Sequence, residues 1–328
     1  MANLKCIIVG AGYMGTTHIQ SYRAIPRVDV VGIVDANLKK LDEIYSTYAV
    51  PGFNSLELAI EKLRPDIVDV CLPSNLHKQS VLYALLKGCH VIVEKPFAVS
   101  LQDIDEMMDA ASVSKGRLMV AHVCRFMPQY RFLKKVLENN ELGKPVLFNC
   151  WRLSETPMWS WNNWLHNDKE SGGTLMDLSI HDVDICNWLL GKPISPNAYI
   201  MKKSPASGCS HILSKLVYPG ITTALVEGSH IMPKAYPFST GYRLVCEEGV
   251  IEYNTVNCGN ESAAVIRDDD IQHVDISADF PMLGNDPYTE ELSHFVGSIA
   301  EDTPFIITPA EARLAVKTVW DLLNTVLK

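Results

Sequence analysis

Long apolar runs are missing from this chain. No window approaches the ~20 apolar residues of a membrane helix, and the apolar run Cys6 to Val9 in MANLKCIIVGAGYMG is too short for the core of a secretory signal. Membrane insertion and export are therefore not expected. Positive charge is scarce as well: 29 Lys and Arg stand against 38 Asp and Glu, a net charge of -9. That balance disfavours a polyanion-binding surface, and with it nucleic acid as a partner. There is no C-x-x-C, and no Cys/His cluster has metal-site spacing, so no metal is expected. The nine cysteines are odd in number, scattered and mostly set among apolar residues. Buried thiols in a reducing compartment fit that usage, and we expect a cytoplasmic protein. No internal repeat or low-complexity segment is visible, and 47% hydrophobic with 20% charged residues is the composition of an ordinary globular chain.

What is present is length and periodicity. At 328 residues the chain is expected to form two domains. Up to about residue 120, short apolar runs alternate with amphipathic segments, the signature of βαβ units and a parallel sheet. Strands are expected at 5–9, 28–34, 52–53, 67–72, 90–93 and 118–121, with helices at about 13–25, 37–48, 55–63, 77–87 and 100–115. Ser100 with Asp103 reads as an N-cap of the last of these. Another helix follows at 128–139, after which ELGKP supplies a Gly/Pro break. Beyond it come an aromatic loop, TPMWSWNNWLH, and a helix in GGTLMDLSIHDVDICNWLLG. β-Branched segments follow at about 197–203, 210–218, 221–231, 240–246, 249–254 and 262–267, an antiparallel sheet. Helices near 287–301 and 309–327 close the chain, with Thr308, Pro309 and Glu311 arranged as a capping box.

The first strand runs into CIIVGAGYMGTTH, which sets Gly10, Gly12 and Gly15 in G-x-G-x-x-G at the opening of a helix, with Tyr13 and Met14 inside the loop. Glycines there permit the tight turn, backbone approach to a pyrophosphate and close packing of helix on strand, while unpaired helix N–H groups face the anion. Asp35 ends the second strand twenty residues beyond Gly15, where a carboxylate can accept ribose hydroxyls. It would repel a 2′-phosphate, so NAD is the expected cofactor; Lys39 and Lys40 keep NADP open. The fold expected is α/β: a Rossmann dinucleotide-binding domain over 1–122, then an α+β domain over 123–328 with a large, mostly antiparallel open sheet, the last helices packing back on the first domain.

HVIVEKPFAVS places Glu94, Lys95 and Pro96 at the carboxyl end of a strand, the edge where open α/β sheets bind ligands. GAGYMGTTH, CLPSNLHKQS, VEKPFAVS, CRFMPQY and GGTLMDLSIHDVD stand in the order and approximate spacing of the Gfo/Idh/MocA oxidoreductases, which this chain resembles well over residues 5 to about 190. The resemblance implies NAD(P)-dependent redox chemistry at a carbinol carbon of a sugar, cyclitol or related polyol. It implies that Lys95 points into the site and stabilises charge on the reacting oxygen, and that Glu94, Pro73 and Asn75 lie by the cofactor. Cys71 and Leu72 depart from the small or hydroxyl residues usual before Pro73, and Ser179 stands where the family often has glycine. His18 reads as a packing or capping residue and is left out of the catalytic set; His77 reads equally as a helix start.

Oxidising an alcohol needs a base near neutral pKa, which suits histidine. Asp177, His181 and Asp184 interrupt an apolar helix at i, i+4 and i+7 and so share a face. By resemblance Asp177 and His181 act with Lys95, His181 as base in oxidation and acid in reduction, and Asp184 contacts substrate or supports His181. Arg125 matches a family segment by cofactor or substrate, with His122 near it. Trp151, Arg152, Trp159, Trp161 and Trp164 crowd the approach to the helix and suit either a sugar ring, for which we single out Trp164, or a hydrophobic seam. Two other readings stay open: a non-catalytic ligand sensor on a dinucleotide fold, and a hydrolase or epimerase that oxidises and re-reduces a sugar carbon with NAD recycled. A homodimer or homotetramer is expected from the family's open sheet.

Overall fold

The computed structural model describes residues 3–158, 160–203, 208–256, 262–268, 270–280, 282 and 286–326. The chain divides into two compact units, one of residues 1–123 and 282–312, the other of residues 124–281 and 313–328.

The first unit is a parallel sheet of six strands in the order β3-β2-β1-β4-β5-β6. The strands are β1 (Leu4–Val9), β2 (Val28–Val34), β3 (Gly52–Phe53), β4 (Ile67–Val70), β5 (His90–Glu94) and β6 (Leu118–Ala121). Helices α1 (Tyr13–Tyr22), α2 (Leu38–Tyr48), α3 (Leu56–Leu63), α4 (His77–Leu86) and α5 (Leu101–Val113) connect them. All four residues of β4 are buried, as a strand covered on both faces requires. The strand order reverses between β1 and β4, so the carboxyl ends of those two strands form the crevice where such sheets take a ligand. Local signals act as expected: Ser100 caps α5 by accepting from the Asp103 N–H at 3.4 Å. Thr308 and Glu311 exchange bonds, the Thr308 N–H donating to the Glu311 carboxylate at 3.0 Å and the Glu311 N–H to the Thr308 hydroxyl at 3.2 Å.

The second unit holds α6 (Pro128–Glu138) and an eight-stranded sheet in the order β14-β13-β12-β11-β7-β10-β9-β8. Its strands are β7 (Pro145–Leu153), β8 (Ser195–Lys203), β9 (Ser210–Val217), β10 (Thr223–Ser229), β11 (Ser239–Cys246), β12 (Gly249–Asn254), β13 (Ser262–Arg267) and β14 (Asp270–Asp275). Every pairing is antiparallel except that of β7 with β10. Two short helices, α7 (Asp168–Ser171) and α9 (Ile276–Asp279), and the longer α8 (Ile180–Leu190), α10 (Pro287–Ala300) and α11 (Pro309–Thr325) complete the element list. The sheet buries one face: Phe148, Cys150, Ala224, Val226, Leu244, Ile251 and Tyr253 alternate with exposed or half-exposed neighbours, and Tyr242, paired with Cys150 and Tyr253, lies on the same face.

Two strands were not expected. β7, PVLFNCWRL, lies inside the sheet between β11 and β10, yet its alternating pattern carries an arginine on the buried face. β14 is mostly exposed and polar, which hides its period.

Candidate functional site

The expected cofactor residues stand at or just beyond the carboxyl ends of β1, β2, β4 and β5 in the first unit. A Cβ on Gly15 would lie 1.8 Å from the Gly10 carbonyl oxygen, so helix and turn touch only because the residue is glycine. Gly10 has φ +111° and a Cβ there would meet the Cys71 carbonyl oxygen at 2.5 Å. Gly12 differs, because a Cβ on it would meet no protein atom within 4 Å. Its open side is where a pyrophosphate can approach the backbone at the start of α1, with exposed Tyr13 and half-buried Met14 alongside. Asp35 is fixed by two backbone donors, the Ala11 N–H at 2.7 Å and the Asn37 N–H at 2.8 Å. Each carboxylate oxygen accepts one of these bonds and keeps capacity for a hydroxyl donor. Those features fit a dinucleotide.

At the ends of β4 and β5, Pro73 is half-buried and Asn75 exposed. His77 is buried at the start of α4, its Nε2 2.8 Å from the Leu72 carbonyl and its Nδ1 3.2 Å from that of Phe97. It ties the two edge loops together, and burial pushes its pKa down, outweighing those carbonyls. Lys95 is half-buried, its N–H donates to the Glu94 carboxylate at 3.0 Å, and the Lys95–Pro96 bond is cis. His18 and His122 are buried.

In the second unit the helix of Asp177 and His181 is not regular. Gly172 and Gly173 take positive φ, residues Leu175–Ser179 form a π-helical turn, and α8 begins at Ile180. Asp177 and His181 are half-buried. The Asp177 carboxylate lies 3.8 Å from Nε2 of His230, and Nδ1 of His181 lies 3.6 Å from the Cys124 sulfur. His230 follows β10 directly, and no pattern marked it in the sequence. Ser179 meets β10 where Gly228 offers no side chain; a Cβ there would fall 2.1 Å from its hydroxyl oxygen. The serine found in place of the family's usual glycine is thus matched by a glycine opposite.

Arg125 and Asp184 require correction. Arg125 was expected at cofactor or substrate and Asp184 at substrate or in support of His181, but their side chains are 1% exposed and bonded to each other, Nε and one terminal nitrogen of Arg125 each reaching a different carboxylate oxygen at 2.8 Å. A parallel pair went unanticipated: Arg152, on β7, grips Asp182 at 3.0 and 3.1 Å. Burial alone would lower the pKa of Arg152, but Asp182 beside it keeps it well above the ordinary value. Trp164 is half-buried and Trp161 exposed in a 3-10 stretch over Trp161–His166; Trp159 lies outside the described residues. Among the described residues one group could hold a metal, His18, Asp69 and Cys71, and it lies outside the expected catalytic set.

Replacing Arg152 with Met leaves Asp182 buried without its cation, which should cost about 3–5 kcal/mol of stability. Denaturant unfolding of Arg152→Met checks this, and a loss below about 1 kcal/mol would show that the pair does not hold α8 to β7.

Comparison with known proteins agrees with this geometry. Residues 4–122 match the family model GFO_IDH_MocA, "Oxidoreductase family, NAD-binding Rossmann fold", and residues 130–252 match the "GFO/IDH/MocA C-terminal domain". Glucose-6-phosphate 3-dehydrogenase of Bacillus subtilis (strain 168) is 30% identical over 190 residues, 57% of this chain and 53% of that protein. The chain therefore spans about half the length of that relative. scyllo-Inositol 2-dehydrogenase (NAD(+)) of the same strain is 22% identical over 320 residues, 95% of this chain and 90% of the other. In fold the chain is similar to levoglucosan dehydrogenase in complex with NADH and L-sorbose, with a TM-score of 0.89 at 20% identity over 99% of this chain and 97% of that one. This chain belongs to the Gfo/Idh/MocA oxidoreductase family, and its first unit is the NAD-binding Rossmann domain of that family.

Proposed function

We propose that the protein is an NAD-dependent dehydrogenase or reductase acting on a CH–OH group of a sugar, cyclitol or related polyol. The observation that carries the reading is the twofold anchoring of Asp35 beside the open side of Gly12, which builds a ribose and pyrophosphate site of the NAD type. Relatives named as glucose-6-phosphate 3-dehydrogenase and scyllo-inositol 2-dehydrogenase support the substrate class. When bound, the oxidised nicotinamide of NAD+ would supply the hydride acceptor for oxidation, and NADH the hydride donor for reduction.

The chain's own residues handle the proton and the charge. Removing hydride from a carbinol carbon makes its hydroxyl proton acidic, and an imidazole can take that proton at neutral pH. We assign this to His181, which returns the proton in the reverse direction. Asp177 favours the imidazolium that forms. The ammonium of Lys95 hydrogen-bonds the reacting oxygen and stabilises its partial negative charge. Trp164 offers an aromatic surface to the ring carbons. Arg125 and Asp184 act through the shape of α8 instead of touching the substrate, since each is the other's buried partner.

We assign the cofactor to the first unit and the substrate to the second. We also assign a cytoplasmic homo-oligomer. Support comes from the buried free thiols among the described cysteines. It comes also from the less buried sheet face, where cross-strand neighbours Val250, Val245, Leu147, Thr223 and Val217 form a half-exposed, mainly apolar row.

A panel of cyclitols, aldoses and keto-sugars, followed by absorbance of reduced nicotinamide, should show net NADH formation with at least one polyol. Lys95→Ala and His181→Ala should each lower kcat by about 10²–10⁴-fold; full turnover in both would remove the assigned mechanism. Replacing Asp35 with Ser should lower kcat/KM for NAD by about 10- to 100-fold, the worth of charge-assisted hydrogen bonds, and narrow the preference over NADP. An unchanged cofactor ratio would mean that Asp35 does not read the ribose. Light scattering should give a mass of at least twice the monomer, and Leu147→Glu should reduce it; a monomeric wild type would end the assembly assignment.

A further inference from the structure

The buried histidine of the glycine-rich helix stands in an unusual setting. His18 leaves α1 three residues beyond Gly15 and is completely buried. Its Nδ1 is hydrogen-bonded to the Asp69 carboxylate on β4 at 2.8 Å, and its Nε2 lies 3.2 Å from the Glu94 carboxylate at the end of β5, an ion-pair distance without hydrogen-bond alignment. Asp69 is 0% exposed and Glu94 6%. The second Glu94 oxygen accepts the Lys95 N–H. One side chain therefore links the cofactor helix, β4 and the strand end that carries Lys95.

We propose that His18 is a positioning residue: as an imidazolium shared between Asp69 and Glu94, it fixes the Glu94 carboxylate and through it the backbone from which Lys95 projects. This rests on the role given to Lys95 above. The proton count supports it. A neutral imidazole could donate to only one carboxylate and would turn a lone pair toward the other. Two buried carboxylates on either side of one ring are tolerable when the ring is charged.

The surroundings agree. Burial alone would lower the pKa of His18, but the Asp69 carboxylate beside it holds it well above the ordinary value. Glu94 is held low because His18 outweighs the effect of burial. Cys71 is pushed up by burial and by Asp69, so it remains a thiol, donating to the other Asp69 oxygen at 3.3 Å. Cys6 on β1 and Tyr22 on α1 are raised by burial and stay neutral, His77 on α4 is lowered by burial, and the Tyr288 ring of α10 packs 6.2 Å from the imidazole. Lys95 and, after it, His77 also act to hold Glu94 low. Although His18, Asp69 and Cys71 could together be drawn as metal ligands, the 2.8 Å separation of nitrogen and carboxylate oxygen is that of a charge-assisted hydrogen bond, with a proton between them.

The test combines a measurement on the unaltered protein with a mutant cycle. Long-range ¹H–¹⁵N spectra of the NAD-loaded protein at about pH 8 should show one imidazolium, where an unperturbed histidine is neutral, and His18→Gln should erase that signal. In the cycle, His18→Gln and Glu94→Gln should each lower kcat by about 10- to 100-fold, with the Kd for NADH of His18→Gln within about threefold of wild type. The double variant should lose no more than the worse single, because one residue acts through the other. A neutral ring, unchanged kcat in His18→Gln, or losses that multiply in the double variant would overturn the proposal. Should His18→Gln fail to fold, the ring signal of the wild type and the kcat of Glu94→Gln decide the matter. Failure of the underlying role of Lys95 looks different: Lys95→Ala would turn over normally while the imidazolium remained.

Discussion

Arg152 projects from the buried face of β7 with a full charge and 6% of its surface exposed, and Asp182 makes that placement tenable. The same constraint, that an ion removed from water needs an opposite ion with good geometry, recurs at Arg125 with Asp184 and at His18 with Asp69 and Glu94. These contacts are directional. Hydrophobic burial would let a helix roll or slide on its sheet by some degrees, whereas a two-pronged arginine grip on a carboxylate admits one orientation. The orientation of α8 in the second unit depends on two such grips.

Their arrangement around the helix explains how His181, the base we propose, stays only half-buried. Asp182 and Asp184 are two residues apart and so point about 200° away from each other around the axis. His181 falls in the arc between them. With Arg152 holding one side and Arg125 the other, the helix cannot turn to bury His181 without breaking a buried ion pair. Asp177 precedes this rigid stretch, on the π-helical turn over Leu175–Ser179, a feature common at functional sites. The turn is accommodated where Ser179 meets Gly228, so the irregular backbone and the close approach to β10 belong together.

The first unit was legible almost throughout, because each of its rules is local. The apolar runs, the glycine spacing, Asp35 and the caps at Ser100 and Thr308 concern residues within a turn or a strand of each other, and the observed β2 over Val28–Val34 coincides with the expected one. In the second unit the legible parts were likewise the strands with clean alternation. β7 was not legible because its buried positions include Arg152, whose partner is thirty residues away on a helix. β14 was hidden by its exposure. His230 carries no local signal, since its nearness to Asp177 exists only once β10 lies beside the π-helical turn.

The same reasoning explains why Arg125 and Asp184 were expected beside a ligand. A charged residue in an apolar context has two physical outcomes: it faces a ligand or solvent, or it is neutralised inside. Periodicity places it on a face without saying which outcome holds, because that depends on whether a counter-ion arrives from another element. For Asp184 it does, in Arg125, whereas the His181 ring stays half-buried, 3.6 Å from the Cys124 sulfur. For His18 two counter-ions arrive, from different strands, so a residue that reads as packing carries a charge linking the glycine-rich helix to the strand end of Lys95. Deciding between the outcomes therefore means finding the partner first and assigning the role afterward.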